Sequence, residues 1–237
     1  MPLTAIGFDG DDTLWESETQ FHLTQARYRE LLADDVDAQV LDARLLDVER
    51  ANLHLYGYGA KSFTLSLIET AIELAGDRLD ISDVAEILAA GKDLLAHPVE
   101  LRPGARAAVE AARELGLTVL LVTKGDLFHQ ESKVAASGVA EVFESVEIVA
   151  EKDPATYARV LVRMGSRPAR FCMIGNSVRS DIAPVLELGG AGVHVPYHHT
   201  WELEHAEVDE AHPRLARVRE IRQAPAAIAA LSQDAPG

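Results

Sequence analysis

The feature that most constrains this chain is a set of short apolar runs, each ending on polar residues. They are Ala5–Phe8 (AIGF), Leu117–Val122 (LTVLLV), Val146–Val149 (VEIV), Phe171–Ile174 (FCMI) and Ala191–Val195 (AGVHV). Runs of four to six residues are too short for core helices, and their near-continuous apolar character suits strands covered on both faces, as in a parallel sheet. Helical stretches lie between them. Pro103–Leu115 opens on Pro and stops at Gly116, the usual asymmetry of helix ends. Asp126–Ser137 stops at Gly138, Asp153–Met164 opens on Asp-Pro and stops at Gly165, and Val178–Leu188 stops at Gly189–Gly190. Alternating strands and helices predict an α/β fold, a doubly wound parallel sheet.

One stretch breaks the alternation. Between Glu16 and His97 no strand is legible, and apolar residues recur at helical spacing: Val40, Leu41, Leu45, Val48 and Leu55; Phe63, Leu67, Ile68 and Ala71; Val84, Ile87 and Leu88. Turn residues at Asp34–Asp35, Gly57–Gly59 and Gly76–Asp77 divide it. The expectation is about four antiparallel helices inserted as a cap over 16–98, with an α/β core made of 1–15 and 99–237. Trp15 and Phe21 are expected to line the cleft between them. Tyr197–Pro213 reads as a long polar loop, Ala224–Leu231 as a last helix, and the closing SQDAPG as a frayed end.

Composition narrows the function classes. With 237 residues, 48% of them apolar, the chain can bury roughly 70–75% of its unfolded surface without disulfide or structural metal. The single cysteine, Cys172, forbids an intrachain disulfide and suits a reducing compartment. No apolar run is long enough to span a membrane, and MPLTAIGFDG lacks the pattern of a secretory signal, so a cytoplasmic protein with no membrane partner is expected. A net charge of −16, with only five lysines, argues against nucleic acid, whose phosphates need a basic footprint. A monomer or homodimer is expected. His194, His198, His199, His205 and His212 crowd one region without metal-ligand spacing and are expected to form a polar loop near the rim of the site.

The strand ends carry the chemistry. The first run ends on Asp9-Gly10-Asp11-Asp12-Thr13 and the second on Thr123-Lys124-Gly125-Asp126. Lys152 precedes a helix, and FCMI ends on Gly175-Asn176-Ser177, followed by Ser180-Asp181. Ligands of an open parallel sheet bind beyond the carboxyl ends of its strands, so all four groups are expected at one place. Three carboxylates there, Asp9, Asp11 and Asp181, demand a cation, since two charges about 4 Å apart repel by roughly 4 kcal/mol at an effective dielectric of 20. Hard oxygen ligands without Cys or His favour Mg²⁺, which keeps places for water and phosphate. Lys152, Thr123 and the turn amides offer donors to phosphate oxygens. An aspartate beside a metal can attack phosphorus, and a second can move the proton.

These residues resemble the haloacid dehalogenase superfamily, in its phosphatase form with a helical type 1 cap. Asp9-Gly10-Asp11-Asp12-Thr13 resembles its Asp-x-Asp-x-Thr motif, Thr123 the strand-ending Ser or Thr, Lys152 the Lys before a helix, and Asp181 in IGNSVRSD the acidic motif. The resemblance implies that Asp9 is nucleophile and metal ligand. It makes Asp11 the general acid/base, with its carbonyl on the metal. Thr123 and Lys152 would hold the phosphoryl group, and Asp181 would hold Mg²⁺. Two positions depart from the pattern. Asn176 stands where an Asp is common and is expected to ligate through oxygen or orient a bound water. Lys124 stands where Asn is common and is expected, with Gly125, to add to the phosphate pocket.

The expected activity is Mg²⁺-dependent hydrolysis of a small-molecule phosphate ester through an aspartyl phosphate. Dehalogenases have no leaving oxygen to protonate, so Asp11 argues for phosphate transfer. A sugar-phosphate phosphomutase uses the same residues. A phosphoryl-accepting regulatory module also uses acidic residues, a Thr and a Lys, but its phosphorylated Asp comes later in the sheet and it carries no long helical insert. An EF-hand loop is excluded because its sixth position is Leu14 rather than Gly.

Overall fold

The computed structural model describes residues 2–233. It divides into two compact units: one takes the chain up to Glu18 and from Val99 onward, the other is Thr19–Pro98.

The first unit is built on six parallel strands: β1 (Ala5–Phe8), β2 (Thr118–Lys124), β3 (Ser145–Val149), β4 (Phe171–Gly175), β5 (Ala191–His194) and β6 (Leu215–Arg217). Their order is β3-β2-β1-β4-β5-β6. β1 lies between β2 and β4, pairing Ala5 with Thr118 on one side and with Phe171 on the other. The chain winds one way from β1 and then back the other, so the β1–β4 boundary is where a crevice opens at the carboxyl ends.

Side chains alternate across the sheet and bury both faces. Ile6, Phe8, Val119, Leu121, Cys172, Ile174 and Val193 share one core with α5 (Ala105–Glu114) and α9 (Ala224–Gln233). Leu120, Val122, Phe171 and Met173 share the other with α7 (Pro154–Arg163) and α8 (Ala183–Glu187). The helix starts follow local chemistry. Asp126 accepts from His129 N at 2.9 Å at the head of α6 (Leu127–Ala136). Asp153 accepts from Thr156 N at 2.6 Å at the head of α7, where Pro154 has no N–H that would need an acceptor.

Two expectations are corrected here, and one strand is added. Val178–Leu188 is not one helix: Val178–Ile182 is a π-helical turn that passes into α8, a form that recurs at functional sites. The tail contains β6, whose three residues pair with Gly192–His194 and are too few to show a pattern. The last helix continues to Gln233, so Ser232 and Gln233 are helical; the rest of the expected frayed end lies outside the described residues.

The second unit is a helical bundle of α1 (Glu18–Leu31, whose first residue belongs to the first unit), α2 (Ala38–Tyr56), α3 (Ala60–Ala75) and α4 (Ile81–Leu95). Its core joins Tyr28, Leu41, Leu45, Phe63, Leu67, Ala71 and Ile87, and Tyr28 Oη donates to Leu67 O at 2.9 Å. Val40, Leu55 and Leu88, read as core from their spacing, are exposed. Phe21 packs on Phe63 inside this bundle, ring centroids 5.2 Å apart. Among the described residues no helix is long and apolar enough to cross a membrane.

Candidate active site

The carboxyl ends of β1 and β4 and the loop after β3 bring Asp9, Asp181 and Lys152 together. Asp9 follows β1, its N–H donated to Ile174 O on β4 at 2.9 Å. Lys152 reaches in from the loop after β3. Its Nζ donates to Asp9 Oδ1 at 2.6 Å and to Asp181 Oδ1 at 2.7 Å. The Lys152 side chain is 2% exposed, that of Asp181 1% and that of Asp9 8%. One cation therefore serves two carboxylates inside the protein. Burial first, and then the Asp181 charge, push the Asp9 carboxyl up to about 7 against the pull of Lys152.

Asp181 reaches this point because its turn folds back on itself. Its Oδ2 accepts Ser177 N at 3.0 Å, and Ser177 Oγ accepts Ser180 N at 3.0 Å. Gly175 makes room: a Cβ there would stand 2.1 Å from Asp181 Oδ2. Asn176 is nearby. Thr13 Oγ1 donates to Asp9 Oδ2 at 2.8 Å and lies 3.4 Å from Asn176 Oδ1. His194 Nε2, 2.9 Å from Asn176 O, holds the backbone there.

Asp11 faces a different set of partners. Its Oδ1 accepts from Trp15 Nε1 at 2.6 Å and from Lys133 Nζ at 2.8 Å, and its Oδ2 from Gln130 Nε2 at 2.9 Å. Loss of water would raise this carboxyl, but the Lys133 charge and the three donors outweigh that and hold it below its ordinary value. Gln130 Nε2 also lies 3.0 Å from Thr123 Oγ1, so Asp11 and Thr123 flank one amide. Trp15, expected in a cleft, is wholly buried in the core; a Cβ on Gly10 would stand 2.5 Å from its ring. Asp12, at φ 62°, accepts Ser17 N at 2.9 Å and Glu18 N at 3.0 Å and so caps the entry to α1. Burial, and then the Asp11 charge, push its carboxyl up to about 7.

Three sequence-based expectations change. Among the described residues no three His, Cys, Asp or Glu side chains form a group able to hold a metal. The expected carboxylate trio is a pair, Asp9 and Asp181, because Trp15, Gln130 and Lys133 draw Asp11 to themselves. Lys124 does not extend into a phosphate pocket: its Nζ donates to Glu204 at 2.6 Å, Ser180 Oγ at 2.9 Å and Glu151 at 3.3 Å. Gly125 commits its N–H to Val149 O at 3.2 Å. Sequence reasoning missed Gln130, Lys133 and Glu204. The first two are three apart on α6, hence on one helix face, a spacing that the sequence does display.

The donor set still fits Mg²⁺. The ion is satisfied by one or two carboxylates, with water and phosphate completing its shell. Asp9, Asp181 and the amide oxygen of Asn176 supply that much, and the negative charge on the buried pair is what a divalent cation would relieve.

A family model described as a haloacid dehalogenase-like hydrolase matches residues 3–189. The chain belongs to the haloacid dehalogenase-like hydrolase family. A crystal structure of a haloacid dehalogenase-like family hydrolase from Xanthomonas campestris is 45% identical with a TM-score of 0.89, covering 99% of this chain and 94% of that one. More distant structures share the fold. A predicted phosphoglycolate phosphatase from Haemophilus somnus 129PT is 17% identical with a TM-score of 0.60, over 94% of this chain and 96% of that one. An L-2-haloacid dehalogenase from Xanthobacter autotrophicus with chloropropionic acid covalently bound is 17% identical with a TM-score of 0.62, over 96% and 98%. No curated protein matches the chain. As a haloacid dehalogenase-like hydrolase the protein is an enzyme.

Proposed function

We propose that this hydrolase is a Mg²⁺-dependent phosphatase that cleaves a small-molecule phosphate monoester through an aspartyl phosphate on Asp9. The observation that carries this reading is the second carboxylate. Asp11 is fixed by three donors, and one of them, Gln130, also contacts Thr123. A halide leaves without a proton, so carbon–halogen cleavage has no use for that group; a departing alkoxide needs one.

Asp9 attacks phosphorus, and the bond from phosphorus to the ester oxygen breaks as the Asp9–phosphorus bond forms. Asp11, which takes up a proton as the phosphate's negative charge arrives beside it, gives that proton to the leaving oxygen. Water then attacks phosphorus, yields a proton to the Asp11 carboxylate, and releases phosphate and free Asp9. The Lys133 contact favours the Asp11 anion, the form that this second step uses. Thr123 Oγ1 accepts from Gln130 and keeps its own hydrogen for a phosphoryl oxygen. Lys152 offsets charge beside Asp9 throughout. Mg²⁺ held by Asp9, Asp181 and Asn176 would supply further neutralisation of phosphate charge.

The test is a panel of phosphate esters and 2-haloacids, assayed with Mg²⁺ and with chelator, on the wild type and Asp9→Asn. Phosphate release that needs Mg²⁺ and vanishes in Asp9→Asn is expected. Halide release without phosphate release, or indifference to chelator, overturns the reading.

A further inference from the structure

Glu204 comes from the polar segment beyond residues 3–189, the span matched by the family model. It ends the short 3₁₀ turn Glu202–Glu204, yet its carboxylate points inward and is only 14% exposed. Three side chains meet it. Lys124 Nζ donates at 2.6 Å, Ser177 Oγ at 2.6 Å, and Ser180 Oγ also donates. Together these fully engage a buried carboxylate: burial would raise it, but Lys124 and the hydroxyls hold it below its ordinary value.

The partners matter for what they carry. Ser177 and Ser180 belong to the turn that presents Asp181, and Ser177 N is the donor to Asp181 Oδ2. Lys124 directly follows Thr123 at the end of β2, with its side chain 11% exposed. Within this network Glu204 is the nearest carboxylate to Lys124, with Glu151 at 3.3 Å. A side chain from a distant segment thus anchors the turn behind one metal-binding aspartate and neutralises a cation beside it.

We propose that Glu204 is a positioning residue for the divalent-ion site: by anchoring the 177–181 turn and neutralising Lys124, it sets how tightly Asp9 and Asp181 take Mg²⁺. This inference rests on the phosphatase reading and extends it to a residue outside the family motifs. Both effects of losing Glu204 act in one direction. The turn behind Asp181 loosens, and Lys124 loses a charge partner and repels the arriving ion. Outer partners of metal ligands are worth about 10- to 100-fold in affinity when removed.

The test is calorimetric titration of Mg²⁺ into wild type, Glu204→Gln, Glu204→Ala and the double variant Glu204→Gln/Lys124→Met, with circular dichroism and melting temperature for each. Glu204→Gln keeps size and an acceptor while losing charge, and it remains informative where Glu204→Ala does not fold. Weakening of about 10-fold in Glu204→Gln is expected, with the double variant returning most of it because the lysine whose charge Glu204 had offset is gone. Affinity in folded Glu204→Gln within about twofold of wild type overturns the proposal, as does a loss that tracks melting temperature alone without rescue in the double variant. Wild type that takes no Mg²⁺ refutes the metal reading beneath it, a result distinct from equal binding by wild type and variant.

Discussion

Replacing Lys152 by Met isolates the electrostatics of the site. The lysine ammonium lies 2.6 Å from Asp9 and 2.7 Å from Asp181, with its side chain 2% exposed. Two acceptors on one ammonium stand roughly 4–5 Å apart, where like charges repel by about 4 kcal/mol at an effective dielectric of 20. Met fills similar volume but leaves both carboxylates without their cation. Removing one side of a buried ion pair costs about 3–5 kcal/mol, and here one lysine serves two partners. The repulsion has an outlet: Asp9, already pushed up to about 7, takes a proton and caps the loss. Metal-free Lys152→Met is therefore expected to be about 3–5 kcal/mol less stable than wild type at mildly alkaline pH, against a usual total of about 5–15 kcal/mol. Urea unfolding followed by circular dichroism, in chelator, reads the difference. Saturating Mg²⁺ is expected to stabilise the variant more than wild type, because the ion replaces the missing charge. A loss under about 1 kcal/mol, the range of exposed pairs, refutes the picture of one buried cation between two carboxylates.

Two further outcomes follow from the loop after β1. Asp11→Asn is expected to lower kcat by about 10²–10⁴-fold for alkyl phosphates but less for nitrophenyl phosphate, whose leaving group needs little protonation; equal losses on both would remove Asp11 from proton transfer. Asp12→Asn keeps an acceptor for Ser17 N and Glu18 N but cannot ionise. The folded state holds the Asp12 proton more tightly than the unfolded chain, at about 7 against 3.8, so wild type loses stability as pH rises through that window and the variant does not. Urea midpoints are expected to shift in favour of the variant across the window, by up to roughly 4 kcal/mol, and a flat difference would refute the buried-charge assignment.

Much of this was legible in the sequence because position and chemistry coincide. The strand runs are continuous, so their ends place Asp9, Thr123 and the turn carrying Asp181 on one rim. The inserted helices show a helical period at Leu41, Leu45 and Val48, although period alone also selected Val40, which is exposed. The contacts that reassign roles were harder to read. Asp11 parts from Asp9 and Asp181 because Lys133, Gln130 and Trp15 compete for it, and no spacing in Asp-x-Asp announces two donors from α6. Lys124 reads as a phosphate ligand until Glu204 claims it, and Glu204 sits in a polar, His-rich stretch with no period to mark an inward side chain. β6 was invisible because Leu215–Arg217 pairs through backbone, with few apolar side chains to betray it.

The most direct test of the central claim is where solvent oxygen goes during turnover. The enzyme is run through many cycles on a phosphate ester in heavy-oxygen water, and mass spectrometry then examines both the released phosphate and the peptide containing Asp9. Water attacking phosphorus puts the label in phosphate and leaves Asp9 unlabelled, as proposed. Label accumulating in the Asp9 carboxyl, the mark of water attacking a carbon ester of that side chain, would contradict it.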